Sequence, residues 1–267
     1  MWPILFEING FQIKSYWVFM FLAYLLGGLV IYLLSRKETE RKKLIFFILI
    51  ISLAGFLGAR LNYILLNLNF YFSNPKEILL FYKGGFTSYG GIILGLLTAF
   101  LYLKYYLKKN IEEIKKWFDK GMLGFLFGHS IGRIGCFLNG CCYGKPSLFF
   151  FSLIFPALKD NTYRHPTQLY ESFGYFLIYL VLLKKYLQKQ EKTNGIIFAF
   201  GLFFHELTRF LVEFLRENSL YILKTKFLQL SAAQLVSLIL MIISLFLFYI
   251  FKKTKIEKEE SPQENEK

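Results

Sequence analysis

The sequence predicts an all-α polytopic membrane protein with about seven transmembrane helices, its N-terminus outside and its C-terminus cytoplasmic. Three observations carry that reading. Of 267 residues, 55% are hydrophobic and 20% aromatic, including 32 Phe, and the mean hydropathy is +0.43. Only 19% are charged, below the roughly 25% of soluble domains. Seven apolar runs are long enough, or nearly so, to cross about 30 Å of hydrocarbon as helices. This composition excludes a disordered chain, a collagen-like repeat and a small disulfide scaffold. Residues 1–251 read as a single transmembrane domain.

The first run, 16–34, lacks the basic n-region and small-residue cleavage site of a signal peptide, and reads as a retained span. Further runs fall near 44–66, 86–103, 121–139, 169–183, 195–212 and 228–251. The fourth contains His129, Arg133 and several Gly. Segment 140–168 is too polar and Pro-broken to cross, and reads as a folded loop. Residues 252–267 form a charged tail, expected to be disordered.

The formal net charge is +14. In a soluble chain that would suggest nucleic acid. In a membrane protein Lys and Arg collect in cytoplasmic loops facing anionic lipid, so no nucleic-acid partner is expected. Segments 35–43, 104–120, 184–194 and the tail hold 20 Lys and Arg, and the alternate segments hold nine. This asymmetry sets the orientation.

Arg60, Arg133 and Arg209 lie inside predicted spans. Each costs roughly 2.5–3.5 kcal/mol at a helix centre on insertion scales. In the orientation above, all three fall in the outer half of the bilayer. Glu213 and Arg216 lie at the outer end of the sixth span. Tyr16, the Gly-rich run 84–91 and the run 165–171 open spans from the same side. His129 and Arg133 are four apart, as are His205, Arg209 and Glu213, with Arg216 three further on, so each set shares a helix face. The bland readings are snorkelling arginines and a structural Arg–Glu clamp.

A cationic cleft at that depth suits a phospholipid headgroup, because guanidinium matches two phosphate oxygens. Glycine-rich turns let backbone approach closely. Such a cleft can bind lipid, move it or break it. Breaking it needs a proton-handling group, and His129, His205, His165, Tyr89 and Glu171 are candidates among which composition does not choose. Cys136, Cys141 and Cys142 show no CxxC spacing. No metal site and no organic cofactor is expected, and the cysteines read as small residues filling a tight turn.

The segment GRIGCFLNGCCYG at 132–144 resembles the signature of prolipoprotein diacylglyceryl transferases. HPTQLYE at 165–171 resembles their second motif, and GAR at 58–60, GGFTSYGG at 84–91 and RFLVEFLR at 209–216 follow the same pattern. The resemblance implies a seven-span enzyme of the bacterial inner membrane with its active site toward the outer leaflet. Such an enzyme moves diacylglyceryl from phosphatidylglycerol to the lipobox cysteine in the signal peptide of a preprolipoprotein, the first step of lipoprotein maturation. It further implies that Arg133 and Arg209 hold the phosphate and that Glu213 orients Arg209. Arg60, Tyr16, Gly90 and Asn139 would line the lipid cleft, and His165 would fix the loop before the fifth span.

This chain departs from the family pattern at several positions. Tyr89 stands where well-known members carry a histidine proposed as the base, and His205 stands where tyrosine is common. Cys136 and Cys141 replace an Asn and an acidic residue. A Tyr and a His have thus traded places, which leaves His205 to take the proton. The departures keep two alternatives open: a transferase of the same scaffold with another lipid donor or acceptor, and a non-catalytic lipid-binding or lipid-translocating protein.

Overall fold

The computed structural model describes residues 1–8, 11–81, 84–188, 194–217, 221–224 and 229–260. The described residues are mostly helical, 74% of them. Among the described residues, five helical segments are long and apolar enough to cross a membrane: Ser15–Ser35, Arg41–Leu66, Tyr89–Tyr106, Ile111–Leu138 and Ala232–Lys253. Two further helices, Thr167–Gln188 and Ile196–Glu213, coincide with predicted spans but stand outside that group. They carry Glu171, Lys184 and Lys185, and Glu206, Arg209 and Glu213.

The helices are α1 (Ser15–Ser35), α2 (Arg41–Leu66), α3 (Leu68–Ser73), α4 (Ser88–Leu101), α5 (Ile111–Leu138), α6 (Thr167–Gln188), α7 (Ile196–Glu213) and α8 (Ala232–Glu260). Helix α4 continues as one wide turn over Tyr102–Tyr106. The helical architecture agrees with the all-α expectation, and among the described residues three short antiparallel hairpins accompany it: β1–β2 (Ile4–Ile8, Phe11–Lys14), β3–β4 (Leu153–Ile154, Tyr163–Arg164) and β5–β6 (Tyr221–Lys224, Gln229–Ser231). The middle one lies within the predicted loop 140–168. Helix α8 runs to Glu260, so the start of the predicted tail is helical; residues 261–267 lie outside the described residues.

Helix α5 begins ten residues before the predicted fourth span. Asn110 Oδ1 accepts the Glu113 N–H at 2.9 Å, and Glu113 Oε2 accepts the Asn110 N–H at 3.1 Å. This reciprocal capping box satisfies two donors that a helix start leaves open.

The chain forms two compact units, 1–31 with 115–267, and 32–114. In the smaller unit, α2 and α4 meet at glycines. A Cβ on Gly58 would lie 2.5 Å from Gly90 O, and one on Gly91 2.8 Å from Gly55 O. Only bare backbone permits that approach, the usual device for joining helices in lipid. In the larger unit, α1 and α5 meet the same way, with a Cβ on Gly124 falling 2.7 Å from Gly27 O. Asp119 of α5 fastens the start of α7, accepting from the backbone N–H groups of Gly195 at 2.9 Å and Phe198 at 2.8 Å.

Candidate functional site

The larger unit gathers the charged side chains of α5, α6 and α7 into one buried network. Glu171, fully buried on α6, is its hub. It accepts Arg209 Nη1 at 2.9 Å through Oε1 and pairs with Arg133 Nη2 through Oε2. Arg209 Nη2 reaches Glu213 Oε2 at 3.0 Å, and Arg216 Nη1 lies 3.6 Å from the same oxygen. Ser231 Oγ donates to Glu213 Oε1 at 3.1 Å. Among the described residues, three guanidiniums thus face two carboxylates, a surplus of one positive charge in this group. Arg133 Nε and the Tyr175 hydroxyl, both buried, have no hydrogen-bond partner among the described residues. Unfilled polar positions of this kind are where a ligand or water completes a network.

Beside it runs a second chain of polar groups. His205 Nδ1 lies 2.9 Å from Glu206 Oε1, and His205 Nε2 lies 3.0 Å from His129 Nδ1. Ser237 of α8 donates to Glu206 Oε2 at 2.8 Å. The carboxylate favours the tautomer in which His205 Nδ1–H donates to it. His205 Nε2 then accepts from His129 Nδ1–H, leaving the lone pair on His129 Nε2. The Tyr175 ring stacks on both imidazoles, with centroids 4.4 Å from His205 and 4.7 Å from His129.

The two sequence motifs 132–144 and 165–171 are physically one assembly. Thr167 Oγ1 donates to Cys142 O at 2.6 Å, and Gln168 Nε2 donates to Cys141 O. Ser172 Oγ donates to Ser130 O at 2.7 Å, tying α6 to α5. Thr167, Gln168, Glu171 and Ser172 share one face of α6, so the face that binds the cysteine loop also supplies the hub carboxylate. At His165, the Gly144 N–H donates to its carbonyl at 2.8 Å, and its Nδ1 lies 3.2 Å from the Tyr170 hydroxyl. Asn139 closes α5, its N–H donating to Gly135 O at 3.0 Å. Tyr16 is half-buried near the start of α1, edge-on to Trp17.

The three cysteines form one cluster. Their sulfur atoms lie within 4.8 Å of one another, and Arg133 Nη1 lies 3.8 Å from Cys136 Sγ. Hydrogen bonds from Cys136 and Cys141, helped by Arg216 and Arg133, hold the Cys142 thiol well below its usual range.

Arg60, Tyr89 and Gly90 belong to the smaller unit. Arg60 is 4% exposed and fully engaged. Its Nη1 donates to Gly84 O at 2.6 Å and Gly85 O at 3.2 Å, its Nη2 to Glu77 O at 2.6 Å and Ile78 O at 3.3 Å, and its Nε to Ile78 O at 3.3 Å. Backbone carbonyls thus accept from every nitrogen of its guanidinium. Gly90 is taken up by the α2–α4 contact, where a Cβ would collide with Asn62 and Gly58 O. Tyr89 sits half-buried in the first turn of α4.

The sequence reading found the arginines, Glu213 and both histidines, but not Glu171 as the hub, nor Tyr175, Glu206 and Ser237. The readable signal was Glu206 itself, a carboxylate inside an apolar run and next to His205.

The family model for prolipoprotein diacylglyceryl transferase matches residues 3–250. A relative from Clostridium tetani (strain Massachusetts / E88), named phosphatidylglycerol--prolipoprotein diacylglyceryl transferase, is 35% identical over 254 residues, 94% of this chain and 98% of the relative. Relatives of the same name from Clostridium botulinum (strain Hall / ATCC 3502 / NCTC 13319 / Type A) and Finegoldia magna (strain ATCC 29328 / DSM 20472 / WAL 2508) are each 34% identical, over 95% and 96% of this chain and 98% of their own length. With a family match across nearly its whole length and relatives above 30% identity, the chain belongs to the prolipoprotein diacylglyceryl transferase family.

Proposed function

We propose that this protein transfers the diacylglyceryl group of phosphatidylglycerol to the lipobox cysteine of preprolipoproteins in the bacterial cytoplasmic membrane. In this reading α6 and α7 also cross, giving seven spans with the N-terminus outside and the site toward the outer leaflet. The thiol sulfur attacks the glycerol carbon, and the bond from that carbon to the phosphate oxygen breaks. Glycerol phosphate leaves with the bonding electrons, so the phosphate charge grows from one negative toward two.

The observation that carries the proposal is the network of three guanidiniums on two buried carboxylates. Its single surplus positive charge matches one phosphodiester, and donors already aimed at a growing negative charge lower the barrier most. Arg133 and Arg209 hold the phosphate, and Glu171 and Glu213 keep the forks in place. The thiol proton passes to His129 Nε2, with His205 and Glu206 behind it. This revises the expectation that His205 itself is the acceptor, because both of its ring nitrogens are engaged.

The test is a reconstituted assay with full-length protein, phosphatidylglycerol vesicles and a lipobox peptide, reading the peptide mass gain and the glycerol phosphate released. Transfer should proceed from phosphatidylglycerol, and His129→Ala and His205→Ala should each slow it by about 10²-fold or more, the usual worth of acid–base help. Transfer from a different lipid alone, or lipid binding without product, overturns the assignment. Full activity in both histidine variants removes the relay.

A further inference from the structure

The end of α5 builds a second constellation that the transfer chemistry does not use. Its cause is local. Gly140, at φ 72°, donates its N–H to Phe137 O at 3.0 Å, and the Cys141 N–H reaches back to Cys136 O at 3.2 Å. This pair of bonds is the Schellman cap, in which the second residue past the helix end folds over the third residue from its end. Such caps usually bring two apolar side chains together there; here both positions are cysteine. Cys142 then adopts φ 63°, a left-handed conformation that residues with a Cβ take at a cost. The surroundings enforce it, since Thr167 and Gln168 grip the carbonyls of Cys142 and Cys141. The outcome is three free thiols with their sulfurs within 4.8 Å. Cys136 is buried, and Cys141 and Cys142 are half-buried.

We propose that Cys136, Cys141 and Cys142 bind one soft, thiophilic metal ion, with Cu(I) the best match. Three thiolates around one ion at about 2.3 Å place the sulfurs roughly 4 Å apart in a plane. The thiols are already within 4.8 Å, so small side-chain shifts close the site. Among the described residues no His or carboxylate joins the group. Zinc favours four ligands, whereas an all-sulfur set selects Cu(I). The Arg133 guanidinium beside Cys136 Sγ places positive charge against the anionic thiolates, as outer-shell partners of metal sites do. Binding replaces three S–H bonds by three S–metal bonds and releases up to three protons.

The experiment uses the full-length protein in detergent, reduced and under anaerobic conditions, without lipid or peptide, so its outcome is independent of the transfer reaction. Cu(I) is supplied from a competing chelator. Cd(II) is a second probe, read by its ultraviolet sulfur-to-metal charge transfer. The expected result is one ion per chain, protons released on binding, and three thiols protected from a maleimide. Cys136→Ser, Cys141→Ser and Cys142→Ser should each weaken Cu(I) by more than the roughly 10–100-fold that loss of an outer-shell partner costs. Cys142→Ser alters a half-buried loop residue and is the decisive variant should Cys136→Ser fail to fold. Equal affinity of the native chain and Cys142→Ser overturns the site, as does the absence of stoichiometric binding.

Discussion

Arg60 and Arg209 are both arginines placed on helices among apolar residues, and each meets the cost of burial differently. Arg60 gives all three nitrogens to backbone carbonyls of residues 77, 78, 84 and 85. Tyr71, Phe81 and Phe86 surround its guanidinium, with ring centroids 5.5–5.8 Å away. Its hydrogen-bonding capacity is spent on neutral partners, and what it achieves is to staple the segment before α4 onto α2. Arg209 instead shares two carboxylates with Arg133 and Arg216. Among the described residues, that sharing leaves one positive charge in surplus and Arg133 Nε without a hydrogen-bond partner. A buried arginine is therefore not a site by itself; a shortage of partners around it is what marks one.

The largest effect follows from removing the shared carboxylate. Glu171→Gln keeps the shape of the hub but strands two guanidiniums, and breaking a buried pair in this way costs about 3–5 kcal/mol. Thermal melting in detergent should show the largest loss of stability of the variants considered, together with loss of transfer. A melting point unchanged from the native protein would place the arginine charges elsewhere. Next come Arg209→Lys and Arg60→Lys, each keeping the charge but losing the planar fork. At Arg209 the loss should appear in turnover, about 10²–10³-fold or roughly 2.7–4 kcal/mol of transition-state stabilisation. At Arg60 it should appear in stability, about 2–3 kcal/mol for the lost carbonyl bonds, with turnover per folded molecule within about threefold of native. If Arg60→Lys lowers turnover as much as Arg209→Lys, the contrast drawn between them fails.

What the sequence made legible follows the range of the interactions. The Arg209–Glu213 pair was readable because four residues along a helix is one turn. The Arg133–Glu171 pair was not, because its partners lie 38 residues apart across a loop whose path depends on the cap at Gly140 and on β3–β4. Seven helices could be read from apolar runs, but the short hairpins could not, since a span-length window averages away strands of two to five residues. The start of α5 was written in Asn110 and Glu113, yet the surrounding lysines made that stretch read as a loop. The thiol cluster escaped because the spacing sought was CxxC, whereas a helix cap brings together residues five apart. Arg60 reads from the sequence as costly. That its partners are backbone carbonyls is a property of the folded chain around it, and no side-chain motif announces it.

Arg164 supplies a third term for the comparison, and the smallest expected effect. It is buried in β4 and pairs with both Asp160, at 2.8 Å, and Glu217, while lying over the Tyr143 ring. Two carboxylates serve one guanidinium there, the reverse of the imbalance around Glu171. The hydrogen bond from Arg164, with one from the Thr162 backbone N–H, holds the exposed Asp160 carboxyl below the usual carboxylate range. A carboxyl lowered on folding stabilises the folded state above its unfolded pKa, about 3.9. That contribution fades as pH falls through the lower folded value. Asp160→Asn should therefore melt slightly below the native protein near neutral pH, and the two should converge as the solution is made more acidic than about pH 4. Because Glu217 still pairs with Arg164, transfer activity should be unchanged. A melting difference that stays constant with pH would mean that the Asp160 side chain acts through its shape and backbone bonds, and that its charge contributes nothing to holding Arg164.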